Sequence, residues 1–85
     1  MYSLVLTETV ERLFAKIKAR DRGQWMTIEA KLRQILENPH HYKPLRAPLQ
    51  NQRRVHIGPF VLVYMIDEKE KAVVLLRYKH HDDAY

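Results

Sequence analysis

Between Glu37 and Asp67 the chain carries no acidic residue. The same stretch holds Lys43, Arg46, Arg53 and Arg54, together with His40, His41 and His56. Cations without neighbouring carboxylates attract polyanions, and the planar fork of arginine matches phosphate oxygens. A second chemical group lies further on: Arg77, Lys79, His80, His81, Asp82, Asp83 and Tyr85. Imidazoles beside carboxylates are a setting for general-acid chemistry, and a phenol ring offers a stacking surface for a base. His80, His81, Asp82 and Asp83 also offer nitrogen and oxygen metal ligands. Adjacent side chains on an extended chain diverge, so the sequence predicts no metal site and no cofactor. His40 and His41 read as loop surface.

These groups need elements to position them. Eighty-five residues make one domain, and an apolar share of 46% is enough for a single core. Fifteen Lys and Arg against ten Asp and Glu give a net charge of +5. The absence of cysteine excludes disulfides, thiolate zinc sites and cysteine nucleophiles. No apolar run approaches the ~20 residues of a membrane span. Met1–Leu6 lacks the pattern of a secretory leader, so the expectation is a cytoplasmic protein without a membrane partner.

Tyr2–Leu6 reads as a short strand. Thr7 or Thr9 can cap a helix with Glu8 and Glu11 in its first turn, and Val10, Leu13, Phe14 and Ile17 form its apolar stripe. Asp21–Gly23 reads as a turn in which Gly23 takes the left-handed conformation. A second helix follows from Gln24 to Glu37, with Trp25, Ile28, Leu32, Ile35 and Leu36 on one side, stopped by Asn38-Pro39. The segment from His40 to Asn51 has neither period and reads as an ordered loop. Arg53–Ile57, Phe60–Ile66 and Ala72–Tyr78 read as three antiparallel strands with short links, the middle one buried on both faces. The expected fold class is α+β: a two-layer β-α-α-β-β-β domain, with the N-terminal strand and helical hairpin packed on a small, mainly antiparallel sheet. Strand alternation then has a consequence. If Val55 and Ile57 meet the helices, Arg54 and His56 lie on the uncovered sheet face. Arg77 and Lys79 share a parity of their own.

Five pieces of text carry a family likeness: Leu36–Pro39 (LENP), Leu45-Arg46, Arg53–Tyr64 (RRVHIGPFVLVY), Ile66–Glu68 and Arg77–Tyr85 (RYKHHDDAY). Together and in this order they resemble the RelE/ParE superfamily of toxin–antitoxin toxins, specifically the RelE-like mRNA interferases. The resemblance implies the element order given above for the whole of residues 1–85. It also implies metal-independent cleavage of translated mRNA on the ribosome, by attack of a ribose 2′-hydroxyl on the adjacent phosphate. It assigns Arg54, His56, Lys79, His81 and Tyr85 to catalysis, with Tyr85 stacking on a base. Lys43, Arg46, Arg53, Arg77 and His80 are the accompanying RNA contacts. Which of His56, His80 and His81 acts as base or acid is left open. Val61 departs from the pattern, because some members carry a phosphate-binding arginine there; Arg53, Arg46 or Arg77 are the candidates to replace it. The implied partners are an acidic, RelB-like antitoxin, the ribosomal A site and mRNA. Two alternatives on the same fold are a ParE-like inhibitor of DNA gyrase and a non-catalytic RNA-binding module.

Overall fold

A computed structural model describes residues 1–83. Its element order is β1 (Ser3–Leu6), α1 (Glu8–Arg20), α2 (Arg22–Glu37), β2 (Gln52–Ile57), β3 (Phe60–Asp67) and β4 (Ala72–His80). The strands form one sheet in the order β1-β4-β3-β2. β2, β3 and β4 are antiparallel neighbours, and β1 joins β4 in parallel. The α+β class and the layering therefore match the expectation from sequence.

The helical hairpin is tighter than expected. A single residue, Asp21, separates α1 from α2. Its side chain caps α2 by accepting from the Gln24 backbone N–H at 3.0 Å. Gly23 consequently lies inside the first turn of α2 rather than in a left-handed link. The physical reason is the competing signal: Asp is a strong N-cap, and its carboxylate satisfies an amide that the helix itself leaves unpaired. At the other end of α1, Thr7 makes no side-chain cap; its backbone N–H donates to the Leu75 carbonyl at 3.2 Å. A glycine is needed at Gly58, where φ is +59° in the β2–β3 turn.

The core lies between the helices and one sheet face. Val10 and Phe14 from α1 and Ile28, Leu32 and Ile35 from α2 meet Val55, Ile57, Leu62, Tyr64, Val73, Leu75 and Tyr78. Phe14 packs edge-on to both Trp25 and Tyr78, and Phe60 stacks on Tyr78 with centroids 5.0 Å apart. Tyr64 is fully buried and donates its hydroxyl to the Pro39 carbonyl at 2.5 Å, tying β3 to the end of α2. Burial pushes its phenol up to about 12.

One irregularity decides what the other face displays. β3 and β4 pair Val63 with Arg77 but Tyr64 with Leu75, so Leu76 is an extra residue in β4. This bulge shifts the two-residue alternation by one. Before it, Val73 and Leu75 point to the helices; after it, Tyr78 does. Arg77 and Lys79 share odd numbers with Val73 and Leu75, and a regular strand would turn all four the same way. The bulge sends the two cations to the opposite face.

Candidate nucleic-acid interface

The register sets the side chains on the face away from the helices. Arg54 pairs with Val63 and Val63 with Arg77; His56 pairs with Val61 and Val61 with Lys79. Each row has a valine in the middle and a basic side chain at either end. Neighbouring strands are ~4.8 Å apart, so the backbones at the two ends of a row are only ~10 Å apart. Long side chains reach across that distance. Arg54, Val61, Val63, Arg77 and Lys79 line a groove of about 310 Å³ with Leu45, Arg46 and Leu49.

This face is less bare than the sequence predicts. The loop between α2 and β2 folds over it, and Leu45 and Leu49 form one wall. Val61 and Val63, though on the helix-free side, are only 2% and 8% exposed. The loop is fastened at several points. The Leu45 N–H donates to the Gln52 carbonyl at 2.8 Å, and Pro44 and Arg53 form an isolated bridge. Arg53 donates its guanidinium to the backbone carbonyls of Tyr42 at 2.5 Å and His40 at 3.3 Å.

That fastening sets Arg53 apart from the other cations named from sequence. Arg53 has the parity of Val55 and Ile57 and is turned toward the loop backbone, so it holds the groove's wall and does not line the groove. His80 also stands apart from the groove. It shares the side of Tyr78, packs edge-on to Phe60, and borders a cavity with Leu13, Ile17 and Gln24 of the helices. Lys79 borders this cavity as well, and ordinary two-residue alternation turns it and His80 to opposite faces, the bulge deciding which goes where. Lys43 and Arg46 line a broader groove of about 850 Å³ with Arg54 and His56. Lys31 of α2 also lines it. Sequence reasoning missed Lys31 because it looks like an ordinary solvated helix position, and only the fold brings it beside β2. No carboxylate lines either groove among the described residues. Arg77 donates to Gln52 Oε1 at 2.7 Å, which orients its guanidinium along the face.

His81 lies just past the end of β4. Its backbone N–H donates to the Pro59 carbonyl at 2.8 Å, and its Nδ1 lies 3.1 Å from the same oxygen. The ring is thus moored to the β2–β3 turn and is not part of the groove lining. The divergence expected of His80 and His81 does not occur. The strand ends at His80, and the Asp83 N–H returns to the His80 carbonyl at 2.8 Å. That turn brings the two rings to 4.7 Å between centroids. His80, His81 and Asp82 thereby gather potential metal-ligand atoms within 4.8 Å of one another. Tyr85, expected to stack on a base, lies outside the described residues. Val61, named from sequence as the departure from the family pattern, sits between His56 and Lys79 in the middle of a row. Of the three replacements considered, Arg46 and Arg77 line the same groove and Arg53 does not.

Comparison with known proteins gives a consistent result. Residues 4–85 match the model of the ParE toxin of the type II toxin–antitoxin system parDE. A candidate toxin of Methanocaldococcus jannaschii, RelE4, is 40% identical over 86 aligned positions, covering 100% of this chain and 92% of the relative. The RelBE2 toxin–antitoxin complex of Mycobacterium tuberculosis contains a chain of similar structure, with 28% identity and a TM-score of 0.75 over 94% of this chain and 98% of that one. The isolated RelE toxin of E. coli has the same fold at 18% identity, with a TM-score of 0.77 over 94% of this chain and 84% of that one.

Proposed function

We propose, for a chain that belongs to the ParE toxin family of type II toxin–antitoxin systems, that the toxic activity is metal-independent cleavage of translated mRNA in the ribosomal A site. The observation that carries this reading is the pair of rows across the helix-free face, Arg54-Val63-Arg77 and His56-Val61-Lys79. Cleavage by a ribose 2′-hydroxyl needs a proton acceptor, a proton donor to the leaving 5′ oxygen, and cations around the phosphorane. In this proposal Arg54, Arg77 and Lys79 hold the phosphate and stabilise its added charge, with Arg46 closing the groove from the loop. Each preorganised donor of that kind is worth ~10²–10³ in rate. His56, in the row with Lys79, takes the 2′ proton. His81, whose ring stands outside the groove lining, is assigned as proton donor from its carboxylate neighbours, and Tyr85 as base-stacking ring from the family resemblance. The valine floor keeps the phosphate partly out of water, where electrostatic stabilisation is stronger.

The neutralising partner is an acidic antitoxin that covers the same face, since charge complementarity steers such encounters. The family model that matches is ParE, and this favours gyrase inhibition as the second reading. Two parallel assays separate the readings. The protein is added to ribosomes translating a defined message, and 5′ ends are mapped by primer extension, with and without a chelator at constant free magnesium. It is also added to gyrase and supercoiled plasmid. The proposal expects chelator-insensitive breaks in the A-site codon and unaltered supercoiling. Gyrase arrest with intact message would overturn it.

A further inference from the structure

We propose that His80, His81 and Asp82 form a binding site for a zinc-class divalent cation at the end of β4. His81 Nε2 lies 3.0 Å from one Asp82 carboxylate oxygen, and His80 Nδ1 lies 3.5 Å from the other. With metal–nitrogen and metal–oxygen distances of ~2.0–2.2 Å, ligand atoms of a tetrahedral site stand ~3.3–3.5 Å apart. The His80 pair is at that separation, the His81 pair is a few tenths of an ångström shorter, and the ligand atoms all lie within 4.8 Å of one another.

The hydrogen bonding fixes where the lone pairs are. The Pro59 carbonyl can only accept, so the 3.1 Å approach of His81 Nδ1 puts a proton on that nitrogen. Nε2 then faces the carboxylate at 3.0 Å, a contact closed by a proton in the imidazolium form and open to a cation in the neutral form. His80 Nδ1 accepts from the Asp82 backbone N–H at 3.3 Å, so its one lone pair is held by that amide until the bond opens. With both rings neutral and the amide bond opened, two nitrogen donors and one carboxylate oxygen are available to a cation in place of the proton. The His81–Pro59 bond is also the usual outer support of a metal-bound imidazole, which donates its second N–H to a backbone carbonyl. Imidazole and carboxylate without thiolate suit zinc, nickel or copper(II) rather than magnesium or calcium. Three protein ligands leave a fourth position for water. The metal would displace the weak amide bond to His80, whose donor lies in an exposed turn and is readily rehydrated.

A consequence rests on the proposed function. A cation on His81 Nε2, with Nδ1 held by the Pro59 carbonyl, leaves the ring no nitrogen for the proton donation assigned to it there, so zinc would hold cleavage down without taking part in it. The binding test needs no ribosome, so its outcome is independent of the cleavage reading. Untagged full-length protein is titrated with zinc chloride by calorimetry in a non-coordinating buffer, and magnesium is titrated in parallel. His81→Ala, Asp82→Asn and the control His40→Ala/His41→Ala are compared, each checked for a native thermal transition. The proposal expects one zinc per chain, no response to magnesium, and at least ~10-fold weaker binding in the first two variants only. Absence of zinc binding to the wild type, unchanged affinity in His81→Ala and Asp82→Asn, or loss confined to the His40/His41 variant would each overturn it.

Discussion

At the scale of single residues, position and chemistry separate cleanly. Arg53 and Arg54 are adjacent and alike, yet one braces a loop and the other faces the groove. A one-residue step along a strand reverses the side, so residue type alone says little about role. Tyr64 gives the sharpest stability test at this scale. Its hydroxyl is buried and satisfied by Pro39, and removing it leaves that carbonyl unpaired, at a cost of ~1–3 kcal/mol. Tyr64→Phe should therefore lower the denaturant midpoint at neutral pH. The pH dependence has a definite sign. A phenol whose folded value is raised stabilises the protein at pH values below its ordinary 10.0, and that stabilisation is lost as pH rises toward about 12. Wild type should lose stability across that window, and Tyr64→Phe should lose markedly less, since Tyr78, raised by burial, still contributes. Denaturant melts on either side of the window, with equal slopes in the two variants, would contradict the assignment.

At the scale of elements, the loop from the end of α2 to β2 and the bulge in β4 matter most. Arg53→Ala removes two guanidinium bonds to loop carbonyls. Bonds to charged groups contribute ~1.5–3 kcal/mol in favourable settings. The variant should lose that order of stability and show faster amide exchange at Leu45, whose N–H is bonded to Gln52. Unchanged exchange at Leu45 would mean that the wall stands without Arg53. The helices, the three later strands and the outward facing of Arg54 and His56 were legible in the sequence, because each rests on a local period or a turn residue. The Asp21 cap was available too, but Gly23 drew the reading toward a longer turn. The bulge left a faint trace, an apolar pair Leu75-Leu76 followed by charges at 77 and 79 with the parity of the core residues 73 and 75. The placing of Lys31, the loop wall and the His80–His81 turn was not legible, since each depends on contacts between segments distant in the chain or on where a strand stops.

At the scale of the whole molecule, charge distribution organises the account. Lys43, Arg46, Arg54, Arg77 and Lys79 line the grooves of the helix-free face with no carboxylate among the described lining residues, while both helices mix acidic and basic residues and the remaining acids lie at Asp21, at the β3–β4 turn and past β4. Among the described residues no helix is long and apolar enough to cross a membrane. An RNA-binding face with ~4 phosphate contacts should weaken with added salt, with a log–log slope near −3 for single strands. Arg46→Ala, which removes one wall cation, should make that slope shallower by about 0.7 and leave the thermal midpoint nearly unchanged. An unaltered slope would remove Arg46 from the interface.

The central claim is that the cations at the two ends of the valine rows act on a reacting phosphate. Its most direct measurement is A-site cleavage by Arg54→Ala/Lys79→Ala on programmed ribosomes, beside wild type at equal folded concentration. Both side chains lie on the groove face outside the core, so the double variant should melt like the wild type while its cleavage rate falls by ~10²-fold or more. A folded double variant that cuts the message at the wild-type rate would contradict the account.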